Sequence, residues 1–239
     1  PEVKVSGPAE LRSIAGPFNE MHGRIKRFVD DRTQMVAAMS HDLRTPLTRL
    51  RLRADAVTDP EQRRKMIADL DEMEAMIAET LSFASEDALR GPSEPADLDA
   101  MLASICDDFA DAGRDASFTP GPRLVAQCRP NALKRALTNL IDNALRHGGS
   151  AHVALTDRDG GIEIAIADKG PGIPPEELEK VFQPFYRLES SRNRDTGGTG
   201  LGLAVARTIV RAHGGDVTLA NAPEGGLVAT VRLPKVASA

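Results

Sequence analysis

Two stretches of apolar residues at helical spacing dominate the first part of the chain, and the turn Thr58-Asp59-Pro60 separates them. Asp59 can cap the second helix, since Pro60 suits its first turn and Gln62 follows three residues after the cap. We therefore predict two long helices joined by a tight turn. The apolar positions are Phe28, Met35, Met39, Leu43, Leu47 and Leu50 in the first helix and Ile67, Leu70, Met73, Ile77, Leu81 and Ala84 in the second.

A single two-helix hairpin buries only one stripe of each helix. Two hairpins from two chains bury the remaining apolar surface by forming a four-helix bundle. We therefore predict that residues 28–90 form a dimeric helical hairpin and that the protein is a homodimer. The alternative is that the stripes pack against the C-terminal part of the same chain.

Length, charge and cysteine content limit the number of domains, the kind of partner and the cellular compartment that are expected. The chain has 239 residues, 41% of them hydrophobic, which is enough for one large domain or two modest ones. Thirty Lys and Arg face 35 Asp and Glu, a net charge of -5 that argues against nucleic acid as the main partner. The two cysteines, Cys106 and Cys128, have no metal-binding spacing and suit a reducing cytoplasm.

Membrane attachment is expected only through a missing segment. The sequence lacks a run of the roughly 18 apolar residues that a membrane helix requires. It begins at Pro1 without an initiator Met, which predicts that an upstream part has been removed.

The second half of the chain is expected to be an α/β domain at 98–236, after a Pro- and Gly-containing linker at 91–97. Val153 and Leu155 alternate on one strand, and Asp159-Gly160 is a turn signal before the next strand. Ile162, Ile164 and Ile166 lie on that next strand, and another is expected at 227–233. Helices predicted at 97–112, 131–146 and 201–213 would cover one face of the sheet, as in an α/β sandwich.

Residues 40–47, Ser-His-Asp-Leu-Arg-Thr-Pro-Leu, lie inside the first predicted helix. His41 is about 200° around the helix from Met39 and Leu43, so its imidazole is expected to face solvent. Asp42 could accept the Nδ1 proton and leave a lone pair on Nε2. Thr45 lies one turn farther along, followed by Thr48 and Arg49. On its own, an exposed His-Asp pair is more often a solvated surface.

A polar face on the predicted helix at 131–146 and just beyond it presents Asn139, Asn143, Arg146 and His147. Amide oxygens suit Mg²⁺ held among phosphates, and Arg146 could neutralise phosphate charge. Taken alone, a plain polar face is an equally good interpretation.

Two glycine-containing segments are candidates for nucleotide contacts. Asp168, Gly170 and Gly172 follow a strand, so a carboxylate could accept from the exocyclic amine of adenine, although a plain Gly-Pro turn is the simpler alternative. The second segment opens a helix, as phosphate cradles do. It lacks Gly-Lys-Ser/Thr and has leucine at 203, so it is neither a Walker A loop nor a dinucleotide fingerprint. Its residues are Gly198, Thr199, Gly200, Leu201 and Gly202.

These segments together resemble the sensor histidine kinases of two-component systems. Residues 40–47 are similar to the H box of that family, particularly of the osmosensor type. The segments around Asn143, Asp168, Phe182-Gln183-Pro184-Phe185 and Gly200 resemble its N box, first glycine box, F box and second glycine box, and the resemblance runs from about 28 to 234.

The resemblance implies a Bergerat-type (GHKL) α/β sandwich that binds ATP. It also implies that His41 is phosphorylated, that Asp42 assists as base and that Thr45 places the water that dephosphorylates the partner, a response regulator receiver domain. Asp168 would bind adenine, Asn143 and Asn139 would bind Mg²⁺, and 187–198 would form a lid whose Arg187, Arg192 and Arg194 reach the phosphates. The chain departs from the family at His147, where tyrosine or lysine is common.

Residues 1–27, with Gly7-Pro8-Ala9-Glu10-Leu11 and Phe18-Asn19-Glu20-Met21, resemble the second half of a HAMP signal-relay module. This implies the cytoplasmic portion of a bacterial inner-membrane protein. Two alternatives stay open: an ATPase of the same fold, as in gyrase, heat-shock chaperones or MutL, and a dimeric relay without catalysis.

Overall fold

The structure, a computed structural model, describes residues 17, 19–21, 23–24, 42–84, 91–121, 123–158, 161–188 and 198–235. The chain divides into two compact units, Pro1–Ser85 and Glu86–Ala239. Among the described residues, none of the helices combines the length and the apolar character that crossing a membrane requires. His41, Arg192, Arg194, the Asp159-Gly160 turn and most of 1–27 lie outside the described residues.

The first unit contains the predicted hairpin. Helix α1 is described over 42–55, and helix α2 spans Pro60–Ala84. Oδ1 of Asp59 accepts from the backbone amides of Glu61 at 2.9 Å and Gln62 at 3.4 Å, which confirms the predicted cap. The turn therefore fixes where the second helix begins.

Only part of the predicted stripes is buried within the hairpin. Leu47, Ala54 and Leu70 form its core cluster, flanked by Ile67 and Ile77. By contrast, Leu43, Leu50 and Met73 are 46%, 41% and 45% exposed, and Met66 and Met76 are exposed beside them. Phe28, Met35 and Met39 lie outside the described residues, as do the side chains of Leu81 and Ala84.

Ion pairs join the two antiparallel helices of the hairpin. Arg51 on α1 meets Asp71 on α2 with 2.9 Å between Nη1 and Oδ1, and Asp55 meets Arg63 at 3.4 Å. These side chains are about half exposed, so each pair contributes little to stability. Their positions favour one antiparallel register of α1 and α2.

The second unit is a mixed sheet with helices on one face. Its strands are β1 Glu94–Asp97, β2 Asp115–Thr119, β3 Val125–Cys128, β4 Ser150–Arg158, β5 Gly161–Ala167, β6 Asp216–Asn221 and β7 Leu227–Pro234. Its helices are α3 Leu98–Asp111, α4 Pro130–Gly148 and α5 Gly202–Ala212, with short 3-10 turns at Pro175–Glu177 and Lys180–Phe182. The main sheet has the order β2-β4-β5-β7-β6, and β1 pairs with β3 apart from it.

The main sheet is parallel at β2–β4 and antiparallel elsewhere. Alternate residues of its central strands are buried under the helices, as the period-two pattern predicts. One row across the sheet aligns Leu155, Ile164, Val231 and Val217. Leu98, Leu102 and Ile105 of α3 and Leu133, Leu137, Leu140 and Ile141 of α4 complete this core.

The predicted strands and helices of this unit are confirmed to within a few residues at each end. The segment predicted as a linker, 91–97, is partly structured, because residues 94–97 form β1 and pair antiparallel with β3. Asp97 ends that strand and caps α3, its Oδ1 accepting from the Ala100 amide at 3.3 Å. The boundaries proposed for the domains stay predictions.

Candidate active site

Asp168 is a buried carboxylate at the end of β5, 9% exposed. Its Oδ1 accepts from the backbone amides of Gly170 at 2.8 Å and Leu227 at 3.0 Å. Its own amide donates to the Leu227 carbonyl at 2.9 Å. Because these bonds hold the carboxylate on Oδ1, its orientation is set before any ligand arrives.

Three glycines let backbone approach Asp168 closely. A Cβ on Gly148, at the end of α4, would lie 2.5 Å from the Asp168 Cβ. A Cβ on Gly226 would lie 2.0 Å from the Asp168 carbonyl oxygen, and one on Gly170 would lie 3.1 Å from Oδ1 of Asp168 and 2.9 Å from the His147 carbonyl oxygen. The end of α4, the loop after β5 and the start of β7 therefore meet with no space for a side chain.

Asn221, at the end of β6, fixes the rest of the first glycine loop. Its Oδ1 accepts from the Ile173 amide at 2.9 Å, and its Nδ2 donates to the Ile173 carbonyl at 2.7 Å. Gly172 has a φ of 73°, and a Cβ there would lie 2.7 Å from Oδ1 of Asn221. A glycine is therefore needed at 172 both for the positive φ of the turn and for the close contact with Asn221.

The asparagine face of α4 points toward the second glycine segment. Nδ2 of Asn139 donates to the Gly202 carbonyl at 3.3 Å, which turns its Oδ1 away from that carbonyl. Asn143 lies one turn farther along α4 and is partly buried. The opposite side of α4 is buried, as predicted, through Leu133, Leu137, Leu140, Ile141 and Ala144.

Positive charge gathers at the end of α4. Loss of water around the His147 ring is the main cause of its lowered pKa, and the charges of Arg146 and Arg187 act in the same direction. The charge of Asp168 acts in the opposite direction and raises the pKa of His147. The structure therefore brings together Arg146, His147, Arg187 and Asp168, which the sequence analysis proposed from three separate motifs.

The second glycine segment is shaped by its own side chains and by the F box. Oγ1 of Thr199 accepts from the Leu201 amide at 3.1 Å, and Gly200, with a φ of 73°, accepts from the Phe185 amide at 3.0 Å. The side chain of Leu201 is fully buried. Leu201 therefore contributes packing at this turn, and its amide is already paired.

The two phenylalanines of the F box have different environments. Phe182 is buried, with the Arg207 guanidinium 4.2 Å above its ring. Arg207 pairs with Glu179 at 2.7 Å and Asp216 at 3.0 Å, which ties the F box to α5 and β6. Phe185 is 62% exposed with a φ of 64°, so only Phe182 belongs to the core.

The described part of the H box lies on α1. Asp42 and Thr45 are exposed, whereas Leu47 is buried against α2. Thr48 donates from Oγ1 to the Arg44 carbonyl at 3.0 Å. Asp42 and Thr45 therefore lie on the solvent side of α1, and Leu47 lies on the side that packs against α2.

Sequence reasoning missed several residues that build the site. Gly148, Gly226, Asn221 and Asp142 were not proposed, although Gly148-Gly149 and Gly225-Gly226 are visible as glycine pairs in the sequence. Among the described residues, no group of three or more His, Cys, Asp or Glu could hold a metal ion.

A five-stranded sheet backed by helices, with an asparagine face, a fixed aspartate and two glycine turns, defines the class of histidine kinase-type ATP-binding domains. The family described as histidine kinase-, DNA gyrase B- and HSP90-like ATPase matches residues 128–237. The family described as His Kinase A (phospho-acceptor) domain matches residues 31–89. The chain belongs to the sensor histidine kinases of two-component systems.

Two curated relatives cover nearly the whole chain. The chain is 41% identical to sensor histidine kinase GtrS of Pseudomonas aeruginosa, over 96% of this chain and 48% of the relative. It is 33% identical to signal transduction histidine-protein kinase BaeS of Escherichia coli, over 94% of this chain and 51% of the relative. The chain thus spans about half the length of the curated relatives it matches.

Two solved structures are similar to the chain in fold. The ATP-binding domain of PrrB from Mycobacterium tuberculosis is similar with a TM-score of 0.52 and 31% identity, over 62% of this chain and 100% of that chain. Full-length ShkA in complex with AMPPNP is similar with a TM-score of 0.66 and 23% identity, over 86% of this chain and 46% of that chain. The second similarity shows the fold alone.

Proposed function

We propose that the chain is the catalytic core of a sensor histidine kinase that phosphorylates its own His41 from ATP and passes the phosphoryl group to an aspartate of a response regulator. The observation that carries the proposal is the buried Asp168 carboxylate, whose Oδ1 is fixed by the backbone amides of Gly170 and Leu227. The phospho-acceptor match over 31–89 supports the same activity, because it contains His41.

The residues of the α/β unit fit a purine nucleotide with a polyphosphate chain. The Asp168 carboxylate can accept a hydrogen bond from the exocyclic amine of adenine. Arg146, Arg187 and, from the sequence, Arg192 would neutralise the phosphates, together with amides of the second glycine segment. His147, whose pKa is lowered, would be largely neutral at pH 7 and could donate one hydrogen bond.

The amide oxygens of Asn139 and Asn143 are the groups that would hold Mg²⁺. The Asn139 amide nitrogen is occupied by the Gly202 carbonyl, so its oxygen is the atom left for a cation. Mg²⁺ would neutralise charge on the phosphates and on the departing ADP.

The transfer needs few groups from the protein. The lone pair on Nε2 of His41 forms a bond to the γ-phosphorus while the bond from that phosphorus to the β–γ bridging oxygen breaks, and ADP leaves with the electron pair. Asp42 accepts the hydrogen bond from Nδ1–H and stabilises the positive imidazole. Positioning and charge neutralisation account for most of the rate enhancement in phosphoryl transfer.

The hairpin is proposed to dimerise through its exposed apolar positions. Leu43 and Leu50 on α1, and Met66 and Met73 on α2, are spaced seven residues apart and are exposed within one chain. Seven-residue spacing of apolar residues is typical of helices that pack against a partner helix. A second copy of the chain would bury both stripes in a four-helix bundle.

The regulator is proposed to bind α1 beside His41, where Asp42, Thr45 and Arg49 are exposed. The Thr45 hydroxyl would place a water for dephosphorylation of the regulator aspartate, which gives the protein phosphatase activity as well. We further propose that a membrane-anchored segment precedes this chain in the whole protein.

Incubation with γ-labelled ATP tests the assignment. His41→Gln should abolish incorporation of label, whereas His152→Gln, which removes an exposed imidazole of the main sheet, should leave it unchanged. The label should be lost in acid and retained in base, as expected for a phosphoramidate. Label retained in His41→Gln would contradict His41 as the phosphorylated residue. ATP hydrolysis without any labelled protein would contradict the proposed kinase activity and favour an ATPase of the same fold.

Asparagine variants test the proposed Mg²⁺ ligands. Asn143→Ala should raise the Mg²⁺ concentration needed for half-maximal autophosphorylation, because one amide oxygen is lost. Asn131→Ala, at the exposed start of the same helix, is the control and should leave it unchanged. Equal Mg²⁺ dependence in both variants would remove Asn143 from the site.

A further inference from the structure

Arg146 is held by a carboxylate that the proposed reaction does not use. Asp142 lies one helical turn before it on α4, and its Oδ2 accepts from Nε of Arg146 at 2.6 Å. Oδ1 of the same carboxylate accepts from Nη1 of Arg114 at 2.6 Å. Both are short, charge-assisted hydrogen bonds. Asp142 therefore bridges two guanidinium groups that come from different parts of the unit.

Arg114 is itself anchored. It lies between α3 and β2, and its backbone amide donates to the Phe109 carbonyl at 3.0 Å. Its guanidinium carbon stands 5.0 Å from the centre of the Phe109 ring. The side chains of Arg114 and Asp142 are 33% and 26% exposed, so solvent screens this pair less than a surface ion pair. Arg114 thus restricts the orientation of the Asp142 carboxylate.

Arg146 in turn lies beside the start of the second glycine segment. A Cβ on Gly198 would lie 3.8 Å from Nη1 of Arg146. The bond from Nε to Asp142 sets the direction of the guanidinium plane, and its Nη end lies toward Gly198. Arginine has a long side chain whose rotamer freedom is lost on binding an anion, so prior fixation by a carboxylate lowers that cost.

We propose that Asp142, supported by Arg114, is a positioning residue for the nucleotide phosphates that acts through Arg146. The inference rests on the proposed function, since that function places the phosphates next to Arg146. Asp142 itself touches no ligand in this arrangement. Arg114 extends the phosphate site to the junction of α3 and β2, where sequence motifs give no indication of a nucleotide.

The direction in which nucleotide affinity changes when Asp142 is replaced tests the inference. A carboxylate near phosphates repels them, so a residue that contributed only its charge would weaken nucleotide binding, and its removal would tighten it. A positioning residue has the opposite effect, because its removal takes away the hydrogen bond that orients the Arg146 side chain. The direction of the change therefore separates the two roles.

The experiment is calorimetric titration of the full chain with ADP and with adenosine, at fixed Mg²⁺ and ionic strength. Asp142→Asn keeps the shape and removes the charge, and it should weaken ADP binding about tenfold, the effect expected for one charge-assisted contact. Adenosine binding should not change, because adenosine carries no phosphate. Arg114→Met should act in the same direction with a smaller effect.

A double variant of Asp142 and Arg146 tests whether Asp142 acts through Arg146. If Asp142 acts through Arg146, Asp142→Asn should add nothing to the loss already caused by Arg146→Met. Asp108→Asn is the matched control, since Asp108 pairs with Lys134 at 3.5 Å on the same α3–α4 surface. That control should bind ADP as the parent chain does. Additive losses in the double variant would show that Asp142 does not work through Arg146.

The outcomes separate this inference from the proposed function. A parent chain that binds neither ADP nor adenosine overturns the proposed function. A parent chain that binds both, with Asp142→Asn binding ADP equally or more tightly, overturns only the positioning role. Unchanged adenosine binding shows that each variant is folded, and a variant that loses adenosine as well contradicts the inference, because the effect is then not specific to phosphate.

Discussion

The two units differ in how completely each buries its own apolar residues. In the α/β unit, the described helices cover one face of a five-stranded sheet, and leucine and isoleucine from both layers are fully buried. In the hairpin unit, the described core is Leu47, Ala54 and Leu70 with two flanking isoleucines, while apolar residues at heptad spacing stay exposed. The comparison shows that the described α/β unit completes its core within one chain, and it supports the proposal that a second copy of the chain covers the exposed stripes of the hairpin.

The largest effect is expected in the α/β unit. Gly226→Ala should lower the free energy of unfolding by about 4 kcal/mol, because it combines steric overlap with a left-handed backbone. A Cβ there would lie 2.0 Å from the Asp168 carbonyl oxygen at a φ of 95°. Urea unfolding of the full chain would measure the loss.

Gly225→Ala is the matched control for that change, since Gly225 has a φ of 98° and nothing within 4 Å of an added Cβ. It should show only the backbone cost, about 1 kcal/mol. Equal losses in the two variants would mean that the close approach to Asp168 does not matter. That result would also remove one reason for regarding the α/β unit as closely packed around its site.

The next effect is expected in the small core of the hairpin. Leu70→Ala should destabilise the hairpin by about 3 kcal/mol, since it empties much of the cluster with Leu47 and Ala54. Differential scanning calorimetry should show one transition lowered and the transition of the α/β unit unmoved. A shift in both transitions would show that the two units do not unfold independently.

A charge in the exposed stripe should affect assembly and not folding. Leu50→Glu should raise the dimer dissociation constant by at least thirtyfold, about 2 kcal/mol, because a carboxylate would be buried without a partner. Leu52→Glu on the opposite side of α1 is the control, since Leu52 is 67% exposed and lies about 180° from the stripe. Sedimentation velocity would compare them. Equal dimerisation of both variants would contradict the proposed interface.

The smallest effect is expected on the stability of the α/β unit at low pH. Hydrogen bonds from Arg211 and then Arg207 hold the pKa of Asp216 well below its usual range. Because the folded-state pKa is depressed, this stabilisation is present above the unfolded-state pKa of about 4 and is lost as the pH falls from there toward the lower folded-state pKa. The Asp216 side chain is 43% exposed, so solvent screening limits the contribution to about 1 kcal/mol.

Asp216→Asn should therefore reduce the melting temperature at pH 7 by a few degrees and make it less dependent on pH between pH 5 and 3. Arg211→Gln should act in the same direction with a smaller change. A pH dependence identical to that of the parent chain would show that Asp216 does not contribute.

The elements set by local pattern could be predicted from the sequence. Alternating isoleucines gave β5, and the apolar side of α4 was placed correctly against the core. Asp59 was identified as a cap from its position alone. The strand β1 was not predicted, because Glu94 and Pro95 disfavour strands and the segment becomes one only by pairing with β3.

The candidate site was predictable where its residues form motifs and not where they meet through the fold. Asp168 and Asn139 follow from motif spacing. Gly148 and Asn221 become visible only when β5, β6 and the end of α4 come together, since their partners are distant in the sequence. Leu201 was proposed among the nucleotide contacts, and its side chain is buried in the core.

The paired hydrogen bonds between Asn221 and Ile173 have a kinetic consequence. A loop already fixed at both its amide and its carbonyl would not have to rearrange when the proposed nucleotide binds, so little ordering entropy would be lost at that step. Association of the proposed nucleotide with this loop should therefore proceed as the docking of two rigid surfaces, and differences in affinity between nucleotides should lie mainly in how fast they dissociate.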